Sequence, residues 1–288
     1  MNRWLVTGAG GQLARSALEL APLHGVEACG LAHADLDIAD PRAVRRAIEA
    51  VRPDVVLNCA AFTKVDLCEE RPEEAMRMNA EGPQVLAEAC KGGPLLIHVS
   101  TEYVFDGESP RPLGEDARPA PLGVYGRSKL GGEEAVLASG AEHLIVRSQW
   151  LFGPGPNFVR TILGLACKGG ELRVVDDQIG RPTWTRPLVG GIFEAARLGA
   201  RGLLHLACEG VASWYDLARE AVGEGARRGL NPEVPLRPIP TRELPRPAAR
   251  PAHAVLGLEL ARGLGIELLH WREALAGYLD GEAECADA

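Results

Sequence analysis

The feature that most constrains the fold of this chain is a glycine-rich segment directly after its first apolar run. The run RWLVTG (3–8) is followed by AGGQLA, so that Gly8, Gly10 and Gly11 precede the small residue Ala14. Glycines allow a tight strand-to-helix turn and a close approach of the backbone to a pyrophosphate, which then meets the N–H groups of the helix N-terminus. Taken alone, the motif also fits a tight turn without a ligand. Its place in a strand–turn–helix unit favours dinucleotide binding.

The chain continues as an alternation of short apolar runs and amphipathic stretches. Apolar runs that predict strands lie at 3–8, 26–33, 54–61, 94–100 and 143–148. Helical patterns lie at 12–24, 41–51, 72–91 and 126–139. Strands that alternate with helices in this way pair in parallel through right-handed crossovers. The sequence therefore predicts an α/β fold with a doubly wound, Rossmann-like parallel sheet and a smaller, mostly C-terminal substrate lobe.

The alternation becomes irregular after about residue 148. Further helical patterns lie at 158–168, 186–199 and 212–226, and an apolar run at 202–208 predicts another strand. A proline-rich segment at 231–251 suits an extended connection. We therefore expect a dinucleotide-binding domain over 1–147, to which part of 184–208 returns, and a substrate-binding lobe made of 148–183 and 209–288.

Charge and cysteine content argue against several classes of function. The 288 residues carry a formal net charge of −8 and no basic stripe, so nucleic acid is not an expected partner. The seven cysteines show no Cys-x-x-Cys or Cys/His ligand spacing, which favours a reducing compartment over a disulfide framework or a zinc site. The N-terminal residues lack the apolar stretch of a signal peptide, and no later run approaches a membrane span. We expect a soluble, cytoplasmic protein with no membrane partner.

The end of the second predicted strand bears on the choice of dinucleotide. An acid at that place accepts hydrogen bonds from the ribose 2′-hydroxyl of NAD. In LAHADLDIAD (31–40), His33 stands nearest to it, and Asp37 could instead face the adenine with Ile38 beside it. His33 could tolerate a 2′-phosphate, and Arg42, Arg45 or Arg46 of the next helix could reach one, so NADP(H) is favoured while NAD(H) stays open. His33 as an ordinary strand-end residue is the alternative.

Tyr125 and Lys129 form the pair with the most direct chemical meaning. They lie four positions apart ahead of an acidic, helix-favouring stretch, and this spacing puts both side chains on one face of a helix. A tyrosine titrates near pH 10, too high for easy proton transfer at neutral pH, and a neighbouring ammonium group lowers its pKa. The same lysine could hold the nicotinamide ribose. The alternative is two neighbours on a solvated helix surface.

Two further segments follow predicted strands at the end of the sheet where ligands bind. Ser100 and Thr101 begin STEYVFDG, and a hydroxyl there could hydrogen-bond a substrate carbonyl oxygen as negative charge develops on it. Thr101 as the cap of a turn is the alternative. After the third strand, NCAAFTKVD brings small residues towards the cofactor. The candidate cofactor contacts from these turns and from the first helix are Gln12, Leu13, Ala60, Ala61 and Thr63.

In this order and with these spacings, the motifs resemble those of the dTDP-4-dehydrorhamnose reductases, a family of extended short-chain dehydrogenases/reductases. The resemblance covers almost the whole chain and rests on TGAGGQLA, NCAAFTKVDLCEE, STEYVFDG, YGRSKLGGE, RSQWLFGPGPNFVRTIL and DDQIGRPTWT. It implies that Thr101, Tyr125 and Lys129 form a catalytic triad. It also implies hydride transfer from NAD(P)H to C4 of dTDP-4-dehydro-6-deoxy-L-mannose, with Tyr125 protonating the oxygen to give dTDP-L-rhamnose.

The same resemblance suggests substrate contacts beyond the triad. Trp150 could pack on the sugar or base, with core packing as the alternative, and Asn157 lies in the next loop. Glu102 stands where the family has an aspartate directly after the threonine. Arg250 opens a segment that resembles the family's Arg-Pro-x-Asn-Ser-x-Leu and could pair with the diphosphate, but the Asn and Ser are replaced here. The magnesium ligands of some family members cannot be placed, so no metal is expected.

Other functions stay open at this point. One is reduction of another nucleotide-linked 4-keto sugar, because the pocket loops do not fix the sugar. A second is a non-catalytic NADP-binding subunit, similar to the regulatory subunit of methionine adenosyltransferase, which shares the fold of the family. A homodimer is a further expectation.

Overall fold

The described part of the chain combines one large sheet with several two-stranded pairs. The structure is a computed structural model that describes residues 2–286, with side chains described as far as Glu282. The strands are β1 Asn2–Thr7, β2 Val26–Leu31, β3 Val55–Asn58, β4 Leu95–Thr101, β5 His143–Ser148, β6 Leu151–Phe152, β7 Leu172–Val175, β8 Ile179–Gly180, β9 Thr183–Trp184, β10 Gly202–His205, β11 Ala212–Ser213 and β12 Leu236–Ile239.

The large sheet has six strands in the order β10-β5-β4-β3-β1-β2, and each neighbouring pair is parallel. The strand order reverses at β1, because β2 lies on one side of it and β3 on the other. In open sheets of this kind, the crevice for a ligand lies outside the carboxyl ends of the strands at the reversal point. The fold therefore directs attention to the ends of β1, β3 and β4.

Several of the helices cover both faces of this sheet. The α-helices of the described residues are α1 Gln12–Leu20, α2 Pro41–Val51, α3 Val65–Glu70, α4 Pro72–Met76, α5 Gly82–Cys90, α6 Val124–Ser139, α7 Phe158–Cys167, α8 Thr185–Arg197, α9 Trp214–Arg227, α10 Glu259–Gly263 and α11 Trp271–Ala286. The neighbouring strand residues Leu5 and Val6 point to opposite faces and join different core clusters. Val6 packs with α1 and α8, whereas Leu5 packs with α2, α5 and α6.

A further core, separate from the two clusters on the faces of the large sheet, lies under α7, α9 and α11. The fully buried Trp271 of α11 packs there with Phe152 of β6 and Leu217 of α9. The pairs β11-β8, β12-β7 and β6-β9 border this region. The architecture confirms the predicted α/β fold with a doubly wound parallel sheet. The proposed division into domains over 1–147 and 148–288, with 184–208 returning, stays a prediction.

The largest departure from the predicted elements concerns 72–91, which the sequence pattern predicts as one helix. The structure has α4, then a π-helical turn over Arg77–Glu81, and then α5. Pro83 in the first turn of α5 has no N–H to donate to the carbonyl oxygen four residues back, that of Asn79. A wider turn before a proline avoids the clash that a regular helix would have there. The sequence patterns also did not predict the short helix α3 before it, because its six residues are too few to show a helical period.

Gly132 of α6 makes the contact between this π-helical turn and α6 possible. A Cβ atom at Gly132 would lie 2.2 Å from the carbonyl oxygen of Asn79 and 3.2 Å from Cγ of Pro83. The oxygen belongs to backbone, so it cannot rotate away as a flexible side chain would. Glycine is therefore required where the two elements meet.

We predict that Gly132→Ala lowers the free energy of unfolding by about 1–3 kcal/mol, because overpacking a close contact forces the backbone apart. Gly164→Ala is the matched control in α7, where a Cβ atom would meet nothing within 4 Å. That change should raise the free energy of unfolding by up to about 1 kcal/mol through helix propensity. Urea unfolding of both variants measures the difference, and equal effects would contradict this account of the contact.

Candidate active site

A cleft of about 640 Å³ lies at the carboxyl ends of the central strands. Its walls come from the turn between β1 and α1, the ends of β3, β4 and β5, and residues of α6, α7 and α9. Most sequence-predicted site residues line it. They are Gly8, Gly10, Gly11, Gln12, Leu13, His33, Ala60, Ala61, Thr63, Thr101, Glu102, Tyr125, Lys129 and Trp150. Asp37, Ile38, Asn157 and Arg250 are not part of the lining.

The glycine turn is shaped by close backbone contacts. Gly8 has φ +69°, and a Cβ atom there would lie 2.7 Å from the backbone nitrogen of Ala60. Gly11 donates its N–H to the Gly8 carbonyl oxygen at 2.8 Å and precedes α1 without a side-chain cap. A Cβ atom at Gly10 would meet nothing within 4 Å. The turn therefore leaves a shallow backbone surface beside the N-terminus of α1, which fits a pyrophosphate.

Polar atoms without a protein partner also face this region. Among the described residues, the hydroxyls of Ser100 and Ser148 and Oε1 of Gln12 are buried and accept or donate no hydrogen bond within the protein. All three residues line the cleft. A buried polar group without a partner is costly, so such atoms commonly bind a ligand or water. Together with the glycine turn, this donor and acceptor set fits a dinucleotide.

Tyr125 lies in the first turn of α6 and is 9% exposed. Burial raises the pKa of its phenol above the ordinary value, and the nearby carboxyl group of Glu102 adds to the rise. Contact with the hydroxyl of Thr101 opposes the shift. Lys129 does not figure among the main influences on the Tyr125 pKa within the described part of the chain. The lowering of the Tyr125 pKa by Lys129 therefore stays a prediction.

Lys129 lies one helical turn after Tyr125 and is 2% exposed. Its ammonium nitrogen Nζ donates to the carbonyl oxygen of Val99 in β4 at 2.7 Å. Burial lowers the pKa of Lys129 to about 8, and the carboxylate of Glu133 is the first group that opposes the shift. Lys129 is thus a buried amine in the cleft lining whose pKa lies close to neutral pH.

Glu133 and Arg147 form a buried ion pair behind Lys129. The guanidinium group of Arg147 binds both carboxylate oxygens, with Nε to Oε1 at 2.9 Å and Nη2 to Oε2 at 2.5 Å. Both side chains are at most 3% exposed. Sequence reasoning missed this pair. The only available signal was the spacing of Lys129 and Glu133, four residues apart on one helix.

Glu102 is a second carboxyl group buried at the cleft. It is 4% exposed, and Oε2 accepts a hydrogen bond from the hydroxyl of Thr101 at 2.8 Å. Burial raises the pKa of Glu102 to about 7, and the hydrogen bond from Thr101 opposes that rise. Thr101 therefore lies between a carboxyl group that titrates near neutral pH and the phenol of Tyr125.

The start of α6 is fixed by a residue from α3. Gly123 precedes the helix without a side-chain cap, and Oε1 of Glu69 instead accepts the backbone N–H of Val124 at 2.8 Å. Next along the helix, a Cβ atom at Gly126 would lie 2.1 Å from the carbonyl oxygen of Tyr103. Glu69 and Gly126 thus position Tyr125 from two sides. The sequence showed Glu69 only as part of a loop, because its partner lies 55 residues away.

Of the residues expected near the adenine, one lies in the cleft lining and two lie outside it. His33 lines the cleft, whereas the carboxylate of Asp37 forms an ion pair with Arg77 from the π-helical turn. This contact holds the pKa of Asp37 below its usual value. Ile38 is 1% exposed and packs in the core against Gly82. Direct cofactor contacts of Asp37 and Ile38 stay predictions.

Three aromatic rings form one wall of the cleft. Trp150 stacks on Trp214 with ring centroids 3.7 Å apart and an interplanar angle of 11°, and Phe158 lies 4.6 Å from Trp214. The backbone of Trp150 has φ +48°, an uncommon value for a residue other than glycine. A Cβ atom at Gly180 would lie 2.5 Å from the Trp150 indole. Trp214 was missed because the pairing of two rings 64 residues apart leaves no local pattern.

Asn157 and Arg250 have clear contacts outside the cleft lining. Asn157 caps α7 by accepting the backbone N–H of Arg160 at 3.0 Å and donates to the hydroxyl of Tyr278 at 3.0 Å. Arg250 forms an ion pair with Asp66 at 2.6 Å. It also influences the pKa of Tyr103, which does line the cleft. Substrate binding by Asn157 and Arg250 stays a prediction.

No group of three or more His, Cys, Asp or Glu side chains among the described residues is arranged to hold a metal ion. The expectation of no metal stays a prediction.

The chain matches a family described as the RmlD substrate binding domain over residues 2–283. It is 42% identical over 291 residues to dTDP-4-dehydrorhamnose reductase from Mycobacterium tuberculosis, covering 98% of this chain and 94% of the relative. It is 41% identical over 279 residues to a probable dTDP-4,6-dihydroxy-2-methyloxan-3-one 4-ketoreductase from Streptomyces antibioticus, covering 95% of this chain and 93% of the relative.

Solved structures show the same similarity. A crystal structure of dTDP-4-dehydrorhamnose reductase from Bacillus anthracis in complex with NADP superposes with a TM-score of 0.92 at 31% sequence identity. The match covers 97% of this chain and 99% of that one. The similarity therefore extends through both the central sheet and the region around α7, α9 and α11.

Proposed function

This chain belongs to the RmlD substrate binding domain family, and from that premise we propose that it reduces dTDP-4-dehydro-6-deoxy-L-mannose to dTDP-L-rhamnose. It is an NAD(P)H-dependent oxidoreductase of the dTDP-4-dehydrorhamnose reductase type. NADP(H) is the favoured cofactor, since a relative of 31% identity is in complex with NADP. This reaction belongs to the synthesis of dTDP-rhamnose, a nucleotide sugar for cell-surface polysaccharides.

The observation that carries the proposal is the position of Tyr125 beside Thr101 at the buried end of the cleft. A phenol and a hydroxyl that share one buried site can both bind the oxygen of a carbonyl group. The glycine turn lies at the other side of the same cleft. A dinucleotide that occupies the turn would extend its reactive ring towards Tyr125.

The proposed mechanism uses these residues in separate roles. A bound dihydronicotinamide supplies the hydride for C4 of the keto sugar. Thr101 donates its hydroxyl to the carbonyl oxygen, and Tyr125 transfers its phenolic proton to that oxygen as charge develops there. Lys129, once its ammonium group leaves Val99, stabilises the resulting phenolate and binds the ribose hydroxyls.

The aromatic wall of the cleft and Arg250, which lies outside the cleft lining, support binding of a nucleotide sugar. Trp150 and Trp214 offer flat apolar surfaces on which a base or the apolar face of a sugar can pack. Arg250 lies behind Tyr103 and is close enough to influence its pKa. If it is released from Asp66, its guanidinium group could bind a diphosphate with two parallel hydrogen bonds.

Another dTDP-linked 4-keto sugar is the second candidate substrate. The 41% identity to a Streptomyces 4-ketoreductase with a different named substrate favours keeping this possibility. The alternative of a non-catalytic regulatory subunit has less support. The two relatives compared above are named as reductases, and each aligns with more than nine tenths of this chain.

Localisation and assembly remain part of the proposal. Within residues 2–286, every helix is too short or too polar to cross a bilayer. We keep the expectations of a cytoplasmic enzyme, a possible homodimer and no nucleic-acid partner as predictions.

The direct test is the absorbance of NADPH after addition of enzymatically prepared dTDP-4-dehydro-6-deoxy-L-mannose. We expect rapid oxidation of NADPH and slower oxidation of NADH at equal concentration, because His33, and not a carboxylate, lines the cleft just after β2, where an acid would bind the ribose 2′-hydroxyl of NAD. Binding of NADPH without oxidation would contradict the proposed substrate and would direct the same assay to other dTDP-linked 4-keto sugars.

We predict that Tyr125→Phe lowers kcat by about 10²-fold or more, because it removes the proton donor without changing the shape of the ring. The dissociation constant for NADPH, measured by fluorescence titration, should stay nearly unchanged. Lys129→Ala is the comparison variant and should impair both turnover and NADPH binding. Wild-type turnover in Tyr125→Phe would exclude the phenol as the acid.

A further inference from the structure

Glu102 is a buried carboxyl group that the mechanism above leaves without a role. It lines the cleft, is 4% exposed and follows Thr101 directly at the end of β4. Its Oε2 atom lies 2.8 Å from the hydroxyl oxygen of Thr101. Burial of a carboxylate is unfavourable unless it is compensated by charge or hydrogen bonds. The hydrogen bonds from the neutral Thr101 hydroxyl and from the backbone of Glu102 itself compensate it only in part.

The groups around Glu102 come from several elements. Thr101 belongs to the same strand end, and Tyr103 follows in the turn after it, whereas Tyr125 comes from α6. The negative charge of Glu102 raises the pKa of both phenols. Arg250, from the C-terminal segment, faces Tyr103 and pairs with Asp66 rather than with Glu102. No ion pair of Glu102 occurs among the described residues. The carboxyl group therefore lacks a fixed cation and can exist as a neutral acid.

Thr101 connects this acid to the phenol. Its hydroxyl donates to Glu102 on one side, and on the other side it lies close enough to the phenol of Tyr125 to influence the pKa of that group. A hydroxyl both accepts and donates a hydrogen bond, so it can receive a proton on its oxygen while it releases its own. The order of groups is therefore carboxyl, hydroxyl and phenol, which is the arrangement that a short proton relay requires.

We propose that Glu102 is the acid that returns a proton to Tyr125 through Thr101 after each turnover. The proposal rests on the proposed reduction and adds a second acid to it. Glu102 then has a role beyond the substrate contact that the family resemblance suggests. It restores the phenol that the reaction consumes.

The protons and electrons of the sequence balance. Hydride adds to C4 of the keto sugar, the carbonyl electron pair moves to the oxygen, and that oxygen takes the phenolic proton of Tyr125. The carboxylic acid Glu102 then gives its proton to the oxygen of Thr101, while the hydroxyl proton of Thr101 passes to the phenolate. Glu102 is left as a carboxylate and regains a proton from water when the product leaves.

Comparison of the first turnover with steady-state turnover separates this role from sugar binding. Glu102→Gln keeps the size and the hydrogen bond of the side chain but has no proton to transfer. The first turnover uses the proton that Tyr125 already carries, so its rate should stay close to wild type. Reprotonation should then become slow, and kcat should fall at least about tenfold. Stopped-flow absorbance should show a burst of one NADPH oxidised per active site.

Two control variants make the comparison specific. Glu102→Asp keeps an ionisable carboxyl group and should recover most of the steady-state rate. Glu134→Gln removes a carboxylate from the exposed side of α6 and should behave as wild type. A rise in KM alone in Glu102→Gln, or an equal loss in the first and later turnovers, would overturn the relay.

The wild-type protein provides a test that does not depend on the variant folding. Because the pKa of Glu102 is about 7, the acid is present below that pH and lost above it. The burst should therefore be absent in mildly acidic buffer and appear as the pH rises through about 7. A burst that is absent at every pH would contradict the proposal.

An infrared measurement on the protein alone separates failure of the relay from failure of the proposed reaction. The wild type minus Glu102→Gln difference spectrum should contain the C=O band of a protonated carboxylic acid that disappears as the pH rises through about 7. Absence of that band below this pH would overturn the relay. If the band is present but the protein oxidises no NADPH, the proposed substrate is wrong and the assignment of Glu102 as a protonated acid still holds.

Discussion

Burial of the Lys129 ammonium group is the constraint on which the site depends. The group is buried at the wall of the cleft, where the Val99 carbonyl oxygen and the carboxylate of Glu133 oppose the cost of removing it from water. Arg147 in turn compensates Glu133 through two hydrogen bonds. This series of charges ties α6 to β4 and β5. It holds Tyr125, one turn before Lys129, at the end of the strand that carries Thr101.

The backbone completes what these charges begin. Close approach at Gly126 and Gly132 brings α6 against the turn after β4 and the π-helical turn before α5. Glu69 accepts the first free N–H of α6, so a residue of α3 fixes the position of the start of that helix. The geometry of the proposed site therefore depends on residues outside the cleft lining. Their common effect is to keep a phenol, a hydroxyl and a carboxyl group within one buried volume.

Local patterns in the sequence predict the parts of this arrangement that are local in the chain. The glycine turn, the strand ends and the Tyr125–Lys129 spacing each fall within a few residues, and the strand–helix alternation predicts the sheet. Contacts between distant segments, such as Glu69 with Val124 or Trp150 with Trp214, leave no such pattern. Burial also changes a group in a way that its residue type does not reveal. Tyr125 and Glu102 both have pKa values above their ordinary range for this reason.

Transfer of deuterium from NADPH that carries deuterium at both hydrogen positions of nicotinamide C4 tests the central claim most directly. The enzyme, the labelled cofactor and dTDP-4-dehydro-6-deoxy-L-mannose are incubated together, and the sugar product is analysed by NMR and mass spectrometry. The account predicts dTDP-L-rhamnose with one deuterium at C4 of the sugar and none elsewhere. Product without deuterium at C4, or label at another carbon, would contradict direct reduction of the C4 keto group in this cleft.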